Sequence, residues 1–348
     1  MVKAKHEIPM INLEQNGIYI IGEIGQAHEG SLGMAHSYID ALAGIGVNAA
    51  KFQVHIAEAE SSMYEGFRAP FSYEDASRFA YWKRMEFTRE QWAGLRNHCH
   101  DKNLDFLASP FSVKSVELLE KVGTDKFKIG SGEINNLLMI RKIAETKKEI
   151  ILSSGMSSYD ELDRISSFLK TQEVKFSILQ CTTSYPTRPE QWGLNVIPLL
   201  KERYAVKTGF SDHSGDIYAC LAATALGAEI LEFHIVYDQR MFGPDARSSL
   251  TVDQAEVMVK GVRQIESALN SPVNKTDNQS SEFLKTLFGK SLAVNKKLKK
   301  GHSLCIQDFE SKKPGDRGIP ALDYESIINR KLNKDLAQWD FVTLNDLI

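Results

Sequence analysis

A TIM-type (β/α)8 barrel followed by a small β-rich module is the fold predicted by three features of this 348-residue sequence. Eight short apolar runs recur along its first two-thirds, and each ends in a cluster of polar residues. Stretches of helical length separate most of these runs, giving a strand–helix–strand rhythm. Past about residue 288 the pattern changes to brief alternating runs punctuated by Gly and Pro.

The first run, IYIIGEIG (18–25), carries Glu23 near its end. AAKFQV (49–54) carries Lys51 and Gln53, DFLASP (105–110) carries Ser109, and KFKIGS (126–131) carries Lys128 and Ser131. EIILSSG (149–155) brings Ser153, and FSILQCTT (176–183) follows with Cys181, read as a small buried apolar residue. KTGFSDH (207–213) ends in Ser211 and His213, and EILEFHI (229–235) in His234. In a barrel of this kind the active site lies at the carboxyl ends of the strands. A rim holding two lysines, several hydroxyls, one acid and two histidines suits an anionic substrate and a metal.

The connection after the second run, residues 55–88 with Pro70, is long and rich in aromatic and charged residues, as expected of a lid or a decorated surface loop. Helical periodicity ends near Leu269, and the polar stretch after it reads as a linker. The expected division is a barrel over 1–270, a linker over 271–287 and a small module over 288–348. Residues 289–348 hold 11 Lys and Arg against 8 Asp and Glu, a net +3 that leaves −6 for the rest. A module of this size is marginal alone and gains by docking on something larger. Its Lys-rich NKKLKK (295–300) reads as a solvated face.

The formal charge of −3 gives no electrostatic case for nucleic acid. No apolar run reaches membrane-spanning length, and the first residues lack the apolar centre of a secretory signal. Four scattered cysteines without CxxC spacing read as reduced thiols of a cytoplasmic protein.

Strand alternation sorts the polar residues by face, since side chains two apart point the same way. Lys51 pairs with Gln53, Ser211 with His213, and Glu232 with His234, whereas Leu231, Phe233 and Ile235 form an apolar outer face. Glu232 and His234 should therefore point into the barrel, where they need partners. His213 and His234 end neighbouring strands and could share Mn2+, Fe2+, Co2+ or Zn2+. Lys51, Lys128, Ser109, Ser131, Ser153 and Ser211 are natural anion binders. Glu23 fits either a general base or a salt bridge to Lys51. Lys126 fits a carboxylate pairing near the barrel floor. His98 and His100, two apart on a helix, face different directions and read as surface residues.

The segments IGEIGQAHEG, AAKFQ, LASPFS, KIGSGEINN, ILSSGM, CTTSYP and GFSDHSGDIYACLAATALGAEILEFH, followed by GPDARSSL, occur in the order and spacing of one known family. With them the chain resembles the sialic acid (N-acetylneuraminate) synthases, which condense phosphoenolpyruvate with amino sugars to make nonulosonic acids. The tail, FGKSLAVNKKLKKGHSLCIQDFESKKPGDRGI, resembles the antifreeze-like (SAF) domain that ends those enzymes. The resemblance implies a phosphoenolpyruvate site of Lys51, Ser109, Lys128, Ser131, Ser153, Thr183 and Ser211. It implies a divalent metal on His213 and His234, usually Mn2+, with Mg2+ or Co2+ as alternatives. Glu23 would be catalytic along with those histidines. Gln53, Tyr185 and Asp245 would face the sugar, together with Lys313 or Arg317 from the small module of a domain-swapped homodimer. The acceptor would be the open-chain aldehyde of a 2-acetamido sugar, N-acetylmannosamine or a bacterial 2,4-diacetamido hexose, with phosphate released by C–O cleavage.

Three positions depart from the family pattern: Ala27 replaces an Asn, Thr183 stands where some relatives have Asn, and Lys313 replaces an Arg before Pro-Gly. They leave the identity of the sugar, and its phosphorylation, open. Two competing readings are another metal-dependent barrel lyase or hydrolase, and a non-catalytic protein that binds sugar or phosphoenolpyruvate. The intact set Glu23, Lys51, His213 and His234 speaks against the second of these.

Overall fold

The computed structural model describes residues 17–68, 73–275 and 281–348. The expectations for the first residues, for Pro70 and for the middle of the linker lie outside these. Two compact units divide between Ser271 and Pro272.

In the first unit eight parallel strands close on themselves, each pairing with the next and the last with the first. They are β1 (Tyr19–Gly25), β2 (Ala49–Val54), β3 (Asp105–Pro110), β4 (Lys126–Ile129), β5 (Ile150–Ser153), β6 (Phe176–Cys181), β7 (Thr208–Asp212) and β8 (Ile230–Val236). A two-residue strand, β9 (Leu250–Thr251), pairs in parallel beside the end of β8. Outside run α1 (Leu32–Ile45), α2 (Ala57–Glu60), α3 (Arg78–Met85), α4 (Arg89–Asp101), α5 (Val113–Val122), α6 (Leu137–Glu145), α7 (Tyr159–Thr171), α8 (Val196–Tyr204), α9 (Tyr218–Ala225) and α10 (Val252–Leu269). The predicted barrel is therefore present, with each strand on its apolar run. The described part of the long connection after β2 holds α2 and α3.

Helix starts are specified locally. Ser31, Ser77, Thr88, Ser112, Ser158 and Thr251 each accept a backbone N–H of the first turn of the helix they open. Each such cap contributes about 1 kcal/mol.

Alternation along the strands sorts the core into two. Phe52, Phe106, Phe127, Leu231, Phe233 and Ile235 face outward into the shell that also buries Tyr38, Trp92 and Leu119 of the helices. Inside the barrel, Ile21, Ala49, Leu107, Ile151, Leu179 and Ile230 form a separate dry layer. Beneath it the Tyr19 hydroxyl donates to Asp105 at 2.5 Å, and Lys126 Nζ reaches the same carboxylate oxygen at 2.5 Å, the floor pairing anticipated for Lys126. The polar strand ends lie above the dry layer.

The last helix of the unit secures the first strand. Glu266 Oε1 accepts the Ile18 N–H at 2.5 Å, and Arg263 donates to the Ile18 carbonyl at 2.8 Å and to Asn48 Oδ1 at 3.0 Å. Asn48 Oδ1 in turn accepts the Ile20 N–H at 2.8 Å.

The second unit pairs β10 (Ser291–Val294) with β11 (Phe309–Lys312) in antiparallel fashion. It buries Leu292, Val294, Leu298, Leu304, Ile327, Leu332, Leu336 and Val342 as a core of its own. Isolated bridges such as Leu298–Leu336 and Ser303–Lys331 complete its β character. Lys296 and Lys299 of the Lys-rich stretch are exposed and paired with Asp308 and Asp335. The segment read as linker is not all linker, because α11 (Glu282–Phe288) is helical. Its apolar Phe283, Leu284, Leu287 and Phe288 recur at helical spacing and are exposed within the unit.

Glu266→Ala would leave the Ile18 N–H without its buried acceptor. A loss of about 1–3 kcal/mol in urea denaturation is expected, and an unchanged midpoint would show that α10 does not secure β1.

Candidate active site

Above the dry layer, four ionisable side chains of the first unit meet inside the barrel: Glu23 of β1, Lys51 of β2, Lys128 of β4 and Glu232 of β8. All are buried. Lys51 forms an ion pair with Glu23 and lies 3.7 Å from Glu232 Oε1, while Lys128 lies 3.6 Å from the same oxygen. The salt bridge anticipated as one reading of Glu23 is therefore present. Hydroxyls complete the layer: Lys51 donates to Ser109 at 3.3 Å, Lys128 to Ser153 at 2.6 Å, and Ser211 to Glu232 at 3.0 Å.

Burial works against every charge in this group. At Lys51 burial is outweighed by Glu23 and Glu232, which hold its pKa above the ordinary lysine range. At Lys128 burial wins over Glu232, and neighbouring Lys51 adds to it, so the pKa falls. At Glu232 burial is outweighed by Lys128 and Lys51, which hold the carboxyl below the usual range. Two ammonium and two carboxylate groups make the layer electrically balanced. Lys51 and Lys128, expected from the strand ends to be anion binders, are thus already in contact with buried carboxylates.

At the rim, Ser131 and Thr183 hydroxyls lie 2.9 Å apart. They close over Gly155, where a Cβ would fall 2.5 Å from Ser131 Cβ and 2.6 Å from Thr183 Oγ1, so only glycine fits. His213 and His234 are buried with ring centroids 5.2 Å apart. His213 donates from Nδ1 to the Thr182 carbonyl at 3.1 Å, which leaves Nε2 free. Burial, then His234, lowers its pKa to about 3.

Among the described residues no group of three or more His, Cys, Asp or Glu has metal-holding geometry. A metal held here would have two imidazole nitrogens, from neighbouring strand ends, with the His213 tautomer fixed by its carbonyl partner. That set fits an ion whose other ligands are water and substrate oxygens.

A cavity of about 440 Å³ opens beside these residues. Gln53, Tyr185 and Asp245, expected to face a sugar, line it. The Tyr185 ring meets His213 with centroids 4.3 Å apart and planes tilted by 41°, and the Arg68 guanidinium lies 3.9 Å from the Tyr185 ring centroid. Arg68 also binds Asp245 Oδ1 at 2.6 Å. Burial raises the Asp245 carboxyl, but His234 and Arg68 outweigh it, and its pKa stays low.

The cavity contains residues that the strand-end reading missed. Gln26, His55, Glu60, Glu65, Arg68, Arg78, Trp82, Phe111 and Glu133 belong to its lining. His55 follows Lys51 and Gln53 at spacing two, so the same alternation would have found it. Arg68, Arg78 and Trp82 lie on the long connection after β2, where sequence spacing carries no position. Lys313 and Arg317 belong to the second unit, where Arg317 lines an open cavity of about 920 Å³ with Asp316, Asp323 and Thr343. His98 and His100 pair with Asp40 and Asp125 away from the barrel rim, as surface residues do.

The NeuB family model matches residues 38–274. The chain is 32% identical to N,N'-diacetyllegionaminic acid synthase of Campylobacter jejuni over 93% of this chain and 98% of that one. It is 30% identical to human N-acetylneuraminate-9-phosphate synthase over 91% of this chain and 89% of that protein. The solved structure of N-acetylneuraminic acid synthetase from Leptospira borgpetersenii, in complex with citrate, superposes with a TM-score of 0.68. It is 30% identical and covers 78% of this chain and 93% of that one.

Glu232→Gln would remove the one carboxylate in contact with both buried ammonium groups. It should cost about 3–5 kcal/mol in a denaturant titration; a loss below 1 kcal/mol would mean that water or Glu23 already compensates the lysines.

Proposed function

The chain belongs to the NeuB family, and from that premise we propose that it is a nonulosonic acid synthase, condensing phosphoenolpyruvate with the open-chain aldehyde of an amino sugar. The observation that carries this reading is the buried Lys51–Glu23–Glu232–Lys128 group beside an open polar cavity. Lysines and hydroxyls supply one half of the site, for phosphate and carboxylate, and the cavity supplies the other, for a sugar.

Lys51, Lys128, Ser109, Ser131, Ser153, Thr183 and Ser211 would bind the donor. An arriving phosphoenolpyruvate exchanges its own anionic groups for Glu23 at Lys51, which frees the Glu23 carboxylate to accept a proton. C3 of phosphoenolpyruvate bonds to the aldehyde carbon, and the aldehyde oxygen takes up a proton. Water bonds to C2 and passes one proton by way of Glu23 to the aldehyde oxygen, and the C2–O bond to phosphate breaks as the new C2 hydroxyl gives its proton to the leaving phosphate, leaving a 2-keto acid and inorganic phosphate. Held by His213 and His234, a divalent ion, most simply Mn2+, would supply Lewis acidity toward the acceptor carbonyl. Holding donor and acceptor in register lowers the barrier by up to roughly 7–11 kcal/mol.

The cavity supports an acceptor without a phosphate group. Four carboxylates, Glu60, Glu65, Glu133 and Asp245, line it against two guanidinium groups. Arg68 is taken up by Asp245 at 2.6 Å, and Arg78 lies 3.5 Å from Glu65. Sugar hydroxyls suit such acceptors, whereas a dianion meets like charge. Gln53, Tyr185 and Asp245 would contact that sugar, joined by Lys313 or Arg317 of an antifreeze-like second unit from the partner in a domain-swapped homodimer. The exposed apolar side chains of α11 support burial against another chain. A cytoplasmic location belongs to the same reading and accords with four free cysteines. Among the described residues no helix is long and apolar enough to cross a membrane.

Phosphate release from phosphoenolpyruvate should require both a free 2-acetamido sugar and a divalent ion, with the sugar's phosphate ester at least tenfold poorer in kcat/KM. With 18O in the bridging position, C–O cleavage leaves the label in phosphate; label retained in the keto acid would contradict the mechanism. Preference for the phosphate ester would overturn the acceptor assignment alone. Lys128→Ala is expected to raise the KM for phosphoenolpyruvate tenfold or more, and an effect confined to the sugar KM would contradict its role. His234→Ala should abolish turnover with the fold retained; near-normal activity and metal content would remove the metal assignment.

A further inference from the structure

His55, at the end of β2, is clamped on both faces. Its ring stacks on Trp82 with centroids 3.6 Å apart and planes 14° apart, and on Phe111 at 4.2 Å and 16°. Its edge is clamped too: Nδ1 lies 2.5 Å from Glu60 Oε1, and Nε2 lies 2.7 Å from Gln26 Nε2. These contacts fix its tautomer. Glu60 as a carboxylate only accepts and the Gln26 amide nitrogen only donates, so Nδ1 carries the proton and Nε2 is the acceptor.

The direction of each following bond is then set. Gln26 Nε2 also donates to Gln53 Oε1 at 2.5 Å, and Gln53 Nε2 donates to Glu23 Oε1 at 3.1 Å. Turning either amide by 180° would set nitrogen against nitrogen or oxygen against oxygen. A continuous row therefore links Glu60, His55, Gln26, Gln53 and Glu23, with donation running outward from the Gln26 amide nitrogen to the carboxylate at each end. All but its last member line the acceptor cavity.

We propose that His55, oriented by Glu60 and held between Trp82 and Phe111, is a positioning residue that sets the Gln26 and Gln53 amides and through them aims the Glu23 carboxylate. The inference rests on the synthase reading, in which Glu23 takes the proton of the adding water and Gln53 faces the sugar. It assigns a task to the connection after β2: α2 supplies Glu60, α3 supplies Trp82, and together they fix a side chain that need not touch the reacting atoms. Amides do not pass protons readily, so the row orients Glu23 and does not relay charge.

Three full-length variants test it. His55→Phe keeps a flat ring between Trp82 and Phe111 but removes both edge contacts. It should retain a cooperative thermal transition near wild type, lose kcat tenfold to a hundredfold, and leave the KM for phosphoenolpyruvate within twofold. His55→Gln restores an acceptor for Gln26 and should recover at least fivefold of the kcat lost by His55→Phe. Glu60→Gln removes the carboxylate that holds the Nδ1 proton and should lower kcat in the same sense. His55→Phe with kcat within twofold of wild type, or His55→Gln no better than His55→Phe, would overturn the proposal. A loss of phosphoenolpyruvate affinity equal to the loss of kcat would do so as well, since it would mark a general distortion. Wild-type turnover is measured in the same series: its absence would sink the synthase reading, whereas turnover with an unaffected His55→Phe would sink only the role of His55.

Discussion

Two ammonium groups and two carboxylates sealed inside a barrel constrain everything around them. Lys51, Lys128, Glu23 and Glu232 are each costly to bury alone, and each is tolerable only because the others are present. The dry layer of Ile21, Leu107, Ile151, Leu179 and their neighbours closes them off from below. Ser109, Ser153 and Ser211 take up bonding capacity that the charges leave over. With the lysines already paired, an anionic substrate bound here as proposed would not fill a positive void but would exchange with carboxylates already in place. Such an exchange can discriminate, because a ligand without enough negative charge leaves Glu23 on Lys51.

The acceptor side is built on a different principle. Its walls come from the connections after the strands, where aromatic stacking and side-chain ion pairs do the positioning that backbone ladders do in the barrel. Arg68 spans from the connection after β2 to Asp245 beyond β8 and covers Tyr185 on the way. Trp82 supports His55 on one side and lies 4.2 Å beneath the Arg78 guanidinium. A scaffold with a fixed donor site and a wall made of connections can change acceptor without disturbing the charge group below.

The barrel was legible because the strand runs are apolar at mid-depth and gather polar side chains at their carboxyl ends, so the change of character marks depth as well as direction. Alternation correctly turned Glu232 inward and Leu231, Phe233 and Ile235 outward. It could not say that Glu232 serves both lysines, since Lys128 comes from a strand across the barrel, and a one-dimensional pattern holds no cross-barrel distance. The helix α11 escaped notice because its Phe283, Leu284, Leu287 and Phe288 follow a polar stretch and span only two turns. Arg68, Arg78 and Trp82 were illegible for another reason: the path of a long connection is decided by tertiary packing, and neither period two nor period 3.6 describes it.

Glu23 stands where the two halves meet. One carboxylate oxygen faces Lys51 of the donor side, and the other accepts from Gln53 of the acceptor side. Its position is thus the resultant of two independent holds, one ionic and strong, the other amide-based and directional. On the proposed mechanism, donor binding would weaken the first by offering Lys51 a different anion. The second then decides where the freed carboxylate points. In the proposed reaction, a base held in this way would be withdrawn from water while the donor site is empty and aimed once it fills, which would favour condensation over idle hydrolysis of the donor.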